Sequence, residues 1–595
     1  MKKPRPTRRY LLWSFLFCLS VSLPGWADSP PDLARLAASP GTPHEVRLHV
    51  EQELRGWFAS DVHVSDPREA PLWQGVADWM AEDAVAQAHP DVRLLDAADQ
   101  AFTLFGDEDG VGDDPQVLVG GKGSSRKAVA LLRMLDAWLG HDAVRQGLQS
   151  FVTSYDGRPV TAEDLWTAIQ SKAGPAGARL HVAQVMTSWI NNLGCPLVTT
   201  KLVHTPHGLA VEVSQEGFTL YPGTPPKNAD QEWAIPLRIR YQDGTGVQEV
   251  KTVLEGKMKD VPLPAEGRVQ WIYPNGGGMG FYRTAMPEPE LRALQGGVAS
   301  LSEPEKAALM TNQWRLVRHG SAHVADFLDL VAATASDADP SIAQIDGEEL
   351  GFERSQVRPE DRSALASLTA ETFAPFVEKY GLQARPPEPW AVTTTRWGVV
   401  QVLAAAGDAA AQQEMQSWTG RWLKGDPTVW DWMVAESDDT QVFDKLTERL
   451  KAKPGQRMET LELLSRMRGS ANASRYVNLV LGSDMEMLDA DRARALVYPI
   501  QTDNAQGMDE VWEALKNRYE TIPNVDTVVR KYAVSPYRSE LDRLVSSKGA
   551  DSTKTALAQA EGLGPGDTLA TLPDQLHDYL HHKVSSAPLP RHHRH

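Results

Sequence analysis

The chain has 595 residues, 42% hydrophobic and 23% charged, the composition of a globular protein with room for three or four domains. Its formal net charge of −18 excludes the basic footprint that nucleic acid or an anionic membrane surface requires. Two cysteines, Cys18 and Cys195, leave little scope for a disulfide framework.

The first 27 residues read as an export leader, which implies a periplasmic or secreted protein. Lys2, Lys3, Arg5, Arg8 and Arg9 form a positive start, Leu11 to Leu23 an apolar run, and Gly25-Trp26-Ala27 a cleavage site. The apolar run is short for a membrane anchor. Phe17 ahead of Cys18 does not suit lipoprotein processing. Thr7-Arg8-Arg9-Tyr10-Leu11 leaves both general and twin-arginine export open. Without the leader, 55 basic residues face 78 acidic ones, a net charge of −23, and Cys195 has no partner for an intrachain disulfide.

Residues 28–43 read as a linker, and 44–196 as a helical domain. Val46, Val50, Leu54 and Trp57 recur at helical spacing, as do Trp73, Val76, Ala77, Met80 and Ala84. Glu51 and Arg55 stand at i and i+4, where a helix pairs them for about 0.3–0.5 kcal/mol. His44 and His49 look like a metal pair but lie five residues apart, roughly 140° around a helix, so they read as an exposed face. Gly120-Gly121-Lys122-Gly123 lacks the order of a phosphate loop. A helix carrying Ala128, Leu131, Leu132, Leu135 and Trp138 follows it and ends at Gly140. Thr161 is placed to cap the helix Ala162-Glu163-Asp164-Leu165-Trp166.

The stretch Glu51–Ala77, EQELRGWFASDVHVSDPREAPLWQGVA, resembles the zinc-binding core of the gluzincin aminopeptidases, the aminopeptidase N and leukotriene A hydrolase family. The family pattern is H-E-x-x-H, then W-F, then a glutamate inside N-E-G-F-A. Trp57-Phe58 match the W-F and Gly75-Val76-Ala77 the G-F-A. The resemblance implies that Glu51 and Arg55 stand at the two histidine positions, Gln52 at the general base, Gln74 at the third ligand, and Gly120 at the oxyanion-stabilising tyrosine. Thr161 to Trp166, Val185-Met186-Thr187-Ser188-Trp189 and Gly194-Cys195-Pro196-Leu197-Val198 resemble the family's T-x-x-D-L-W, V-M-x-x-W and G-Y-P-V-V. Nothing ahead of residue 44 matches the family's N-terminal β domain or its G-x-M-E-N strand.

The residue types at those positions do not suit zinc. Zinc needs lone-pair donors, and Arg55 is permanently protonated and has none. A unit positive charge about 4 Å from a divalent ion would cost about 8 kcal/mol at an effective dielectric of about 20. Gln52 cannot take a proton from water.

Residues 197–285 read as a small β-sandwich. Strands are expected over Leu197–His204, Leu209–Val213, Ile235–Ile239, Val247–Leu254 and Val269–Tyr273, with turns at Pro206-His207-Gly208 and Asp243-Gly244. Trp271 to Asn275 and Gly280-Phe281-Tyr282-Arg283 resemble the end of the family's β-sandwich. Residues 286–585 read as an α-helical repeat array. A capping box at Ser302-Glu303-Pro304-Glu305 opens it, and breaks fall at Pro340, Pro386–Pro389, Pro427, Pro454 and Pro523. Trp418, Trp422, Trp430 and Trp432 either line a binding concavity or, for Trp418 and Trp422 at i, i+4, fill helix core. His577 and His581 read as a solvated helix face, with a metal pair as the alternative, and 586–595 is a basic, histidine-rich tail.

The expected architecture is mixed and mainly α: a helical remnant of a thermolysin-like catalytic domain, a small β-sandwich, and a C-terminal helical bowl. The expected function is that of an exported, catalytically inactive aminopeptidase-like protein that binds a peptide, a protein partner or a second copy of itself. It would use no cofactor, zinc being implied only if the family activity were retained. The alternative is half of a split zinc metallo-aminopeptidase completed by another polypeptide.

Overall fold

The computed structural model describes residues 32–586 apart from 40–42, 61, 67–68, 90–123, 155–157, 193, 219–229, 386, 484–486, 502–503, 533–536 and 555–567. The leader, the Gly120–Gly123 run and the tail Arg591–His595 lie outside the described residues. Among those described, no helix is long and apolar enough to cross a membrane.

The first element corrects the linker reading of residues 28–43, because α1 (Leu33–Ala37) lies within it. The Asp32 side chain accepts from the Arg35 amide at 3.1 Å and starts the turn. Leu36 and Ala37 are buried, and His89 Nε2 bonds the Ala37 carbonyl at 3.2 Å. A helix of five residues is too short for periodicity to register.

The stripe Val46, Val50, Leu54 and Trp57 is buried along α2 (Pro43–Ser60), and Trp73, Val76, Ala77 and Met80 along α3 (Ala70–Ala88). Phe58 tilts against Trp73 at 5.7 Å between ring centroids. On its other side α3 packs against α4 (Ser124–Leu139). Gly140, at φ +95°, turns the chain into α5 (His141–Thr153). The capping box of Thr161 and Asp164 opens α6 (Ala162–Lys172), which packs on α5. After it come α7 (Gly174–Leu180) and α8 (Val182–Asn191).

Strands begin at Cys195. β1 (Cys195–Thr205) pairs antiparallel with β2 (Gly208–Phe218) from Cys195↔Phe218 to Thr205↔Gly208. β3 (Ile235–Asp243), β4 (Gly246–Leu254), β5 (Met258–Pro262), β6 (Trp271–Tyr273) and β7 (Arg283–Ala285) complete two sheets, ordered β5-β2-β1-β7 and β4-β3-β6. Ile235, Leu237, Ile239 and Tyr241 alternate inward along β3. Both sheets share one core with α2 to α8. The strand expected over Val269–Tyr273 shortens to the three residues of β6. β5 and β7 go unforeseen because neither shows alternation.

From Glu288 onward the described elements are all helices, and they have a second core, which runs from Trp271 to Leu580. Glu305, only 1% exposed, joins it to the sheets. Its carboxylate completes the capping box with Ser302, accepts from the Gly277 amide at 2.8 Å, and pairs with Arg240 of β3. Gly278, at φ +71°, lies so close that a Cβ there would run into the Pro304 carbonyl. Helix Trp390–Ala406 starts after Pro389, ends at Gly407, and packs against Pro340–Gln356, Arg362–Tyr380 and Ala409–Leu423. Trp418 and Trp422 are core, whereas Trp430 and Trp432 are exposed and meet Trp397 edge to face. The last helix, Thr568–Ser586, returns onto Val324–Thr334 and Glu303–His319.

Candidate active-site remnant and its ion-pair ladder

Glu51 and Arg55 face α3 one helical turn apart. Glu51 Oε1 meets Arg55 Nη2 at 2.8 Å, and Glu51 Oε2 meets Arg47 Nη1 at 3.0 Å. Arg55 turns its other edge to α3, where Nε and Nη2 donate to the two oxygens of Asp78 at 2.7 Å each. The result is a four-member ladder, Arg47–Glu51–Arg55–Asp78, with signs alternating and no net charge. One turn further along α3, Glu82 accepts from Arg133 of α4 at 2.8 Å.

The side chains of Glu51 and Asp78 are each 14% exposed and that of Arg55 is 41% exposed. Burial, with Asp78 adding to it, raises the Glu51 carboxyl above its ordinary range against the pull of Arg55 and Arg47. Burial also opposes the Arg55 charge, but the bond to Asp78 outweighs it and holds the guanidinium above its ordinary value.

The donors at these positions do not fit zinc. Both Glu51 oxygens are engaged by guanidinium groups, Arg55 has no lone pair, and Gln74 offers a neutral amide. Gln74 is half-buried on α3, one turn before Asp78, and Gln52 is exposed on α2. Gly120 lies outside the described residues, as does the side chain of His44. His49 is exposed.

A second polar cluster lies behind the ladder. His141, opening α5, sets Nδ1 3.1 Å from both Asp136 oxygens and Nε2 2.8 Å from Asp83. Burial works against its proton, but Asp136 and Asp83 together raise its pKa above the ordinary histidine range. Arg47 lies four residues before Glu51, and Asp78 four after Gln74, so helical spacing alone could have singled out both. The Asp136–His141–Asp83 bridge has no such signal.

On the last helix, the reading of His577 and His581 as a solvated face holds for His581, which is exposed, and is corrected for His577, which is half-buried. Both rings turn onto the buried carboxylate of Asp361, 216 residues before His577. No local pattern can announce a partner at that separation.

The "Peptidase family M1 domain" model matches residues 57–189, and the "ERAP1-like C-terminal domain" model matches 271–561. The first match opens at Trp57, two residues after Arg55, and includes Gln74. "Aminopeptidase M1-A" of Oryza sativa is 24% identical over 345 residues, covering 56% of this chain and 36% of that protein. "Puromycin-sensitive aminopeptidase" of Caenorhabditis elegans is 22% identical over 213 residues, 36% of this chain and 22% of its own. "Tricorn protease-interacting factor F2" of Thermoplasma acidophilum is 24% identical over 218 residues, 37% and 25% of the two chains. The matches thus take in roughly a fifth to a third of these relatives' lengths. With a helical domain like one family module followed by a helical array like the other, the chain belongs to the M1 family of gluzincin aminopeptidases.

Proposed function

We propose that this protein is an exported member of the family that binds a peptide or a protein partner and does not cleave it. The observation that carries this reading is the ladder Arg47–Glu51–Arg55–Asp78, whose Glu51 and Arg55 stand at the positions that the sequence resemblance gives to the family's zinc-binding histidines. A guanidinium at a ligand position repels a divalent ion and supplies no donor. Gln52 and Gln74 lack the acid–base and anionic character that water activation requires. Gly120 has no hydroxyl to stabilise an oxyanion. The ligand surface in this reading is the helical array, which matches the family's C-terminal module. The partner is a peptide, another protein or a second copy of the chain, met in the periplasm or outside the cell.

The alternative, half of a split zinc aminopeptidase, draws on the 36% or less of each named relative that aligns. It requires another polypeptide to bring every catalytic group while α2 and α3 already fill their place. The test uses one preparation of the full chain for two assays, anisotropy with a fluorescent peptide pool and turnover of aminoacyl nitroanilides. Saturable binding without product supports the proposal. Chelator-sensitive product, alone or on adding a companion polypeptide, overturns it.

A further inference from the structure

Asp361 precedes helix Arg362–Tyr380 in the N-cap position, yet its side chain makes no capping bond. Its carboxylate is fully buried and is directed at two imidazoles. His577 Nδ1 lies 3.0 and 2.9 Å from its two oxygens, and His581 Nε2 lies 3.1 Å from Oδ1. The two histidines are one turn apart on the last helix, with ring centroids separated by 4.3 Å. Among the described residues, these two imidazoles are the ion-pair partners of Asp361. Arg358, three residues before Asp361, pairs instead with Asp574.

We propose that Asp361, His577 and His581 form a binding site for a divalent transition-metal ion, zinc by donor type, that clasps the last helix to the array. The three donor atoms lie within 4.8 Å of one another. Tetrahedral zinc with bonds of about 2.0–2.1 Å holds its ligands about 3.3 Å apart, so the N–O separations found here need to open by only a few tenths of an ångström. Two imidazoles with one carboxylate are a borderline donor set that prefers zinc and its late first-row neighbours to magnesium or calcium. The His581 side chain is 61% exposed, so the ion could enter from solvent and keep a water as fourth ligand. A divalent ion would also neutralise the buried carboxylate.

The position suits a clasp. Leu572, Leu576 and Leu580 of the last helix are buried in the array core, and Tyr579 donates to Asp329 at 3.1 Å. The Gln575 side-chain oxygen accepts from the Val324 amide at 3.0 Å. The metal would join that helix covalently to residue 361, closing a loop of more than two hundred residues. The site is remote from α2 and α3 and does not depend on the proposed loss of catalysis.

The test uses the full chain with His592→Ala, His593→Ala and His595→Ala, so that the terminal histidines do not report. After chelator stripping, zinc alone is titrated against a chromogenic indicator and its effect on Tm is followed. One equivalent and a saturable rise in Tm are expected. His581→Ala, at an exposed position that should not disturb folding, should weaken binding at least about tenfold and abolish the Tm rise, as should Asp361→Asn. Absence of binding overturns the proposal. Binding that His581→Ala leaves intact also overturns it, and loss of that binding in Gln74→Ala would place the ion between α2 and α3.

Discussion

Among the described residues, Arg55 ties α2 to α3 electrostatically, since it pairs with a carboxylate on each. Replacing it with methionine leaves Glu51 and Asp78 facing each other, both nearly out of solvent. A fully exposed pair would lose under about 1 kcal/mol, and a fully buried one about 3–5 kcal/mol. With Arg55 about two-fifths exposed, Arg55→Met should cost about 2 kcal/mol at pH 7, read from the urea midpoint. Glu51 has a folded pKa above its unfolded value, so its ionisation is uphill in the fold, and stability is lost as pH rises through that value. The Arg55→Met penalty should therefore be smaller at pH 4 than at pH 7. His141 follows the same sign. Its folded pKa is raised by Asp136 and Asp83, so its contribution is complete below about 6.5 and is lost as pH rises through the folded value. His141→Gln should lower Tm most near pH 6 and least near pH 9. An equal loss at both would mean that the ring acts by packing on Trp79 of α3, 5.5 Å away between ring centroids.

The seam between sheets and array depends on Glu305, a buried acid with one cation and three donors from the chain's own turns. Burial alone would raise its pKa, but Arg240 and the amides of Gly277 and Ser302 prevail and lower it. Glu305→Gln keeps the shape and leaves Arg240 without its charge partner, a loss of about 3 kcal/mol at pH 7. Because the folded pKa is depressed, that contribution is present above about 4.5 and lost as pH falls, so variant and wild type should converge in acid unfolding. The capping half of this motif is legible in the sequence as Ser302-Glu303-Pro304-Glu305, and so are the inward residues of β3, because caps and alternation are local. The Arg240 half is not, because it joins residues 65 apart through tertiary packing. The same divide runs through the candidate site. The Glu51–Arg55 pair follows from spacing, whereas Arg55–Asp78 depends on how two helices lie together. Asp361 beneath His577 and His581 is the extreme case.

At the scale of the molecule, two cores meet at the sheets, one beneath α2 to α8 and the other filling the array. Among the described residues, the large exposed aromatic side chains are Trp430 and Trp432, 42% and 36% exposed, which touch each other and Trp397 at 5.2–6.0 Å between ring centroids. Exposed tryptophan of this kind is what a binding surface uses as an anchor. If the array holds the peptide, the double substitution Trp430→Ala with Trp432→Ala should weaken labelled-peptide binding at least about tenfold. Tm should change little, because both side chains already reach solvent. Unchanged affinity would move the binding surface elsewhere on the array.

In the proposed function, the ion-pair ladder between α2 and α3 stands in place of zinc. The most direct measurement is turnover of a panel of aminoacyl nitroanilides by the zinc-saturated full chain, alongside a variant carrying Glu51→His with Arg55→His. Neither should form product above the buffer rate, because the variant still lacks a base at Gln52, a third anionic ligand at Gln74 and a hydroxyl at Gly120. Chelator-sensitive turnover by the wild-type chain that Glu51→Ala or Gln74→Ala abolishes would show a working metal site between α2 and α3 and contradict the proposed loss of catalysis.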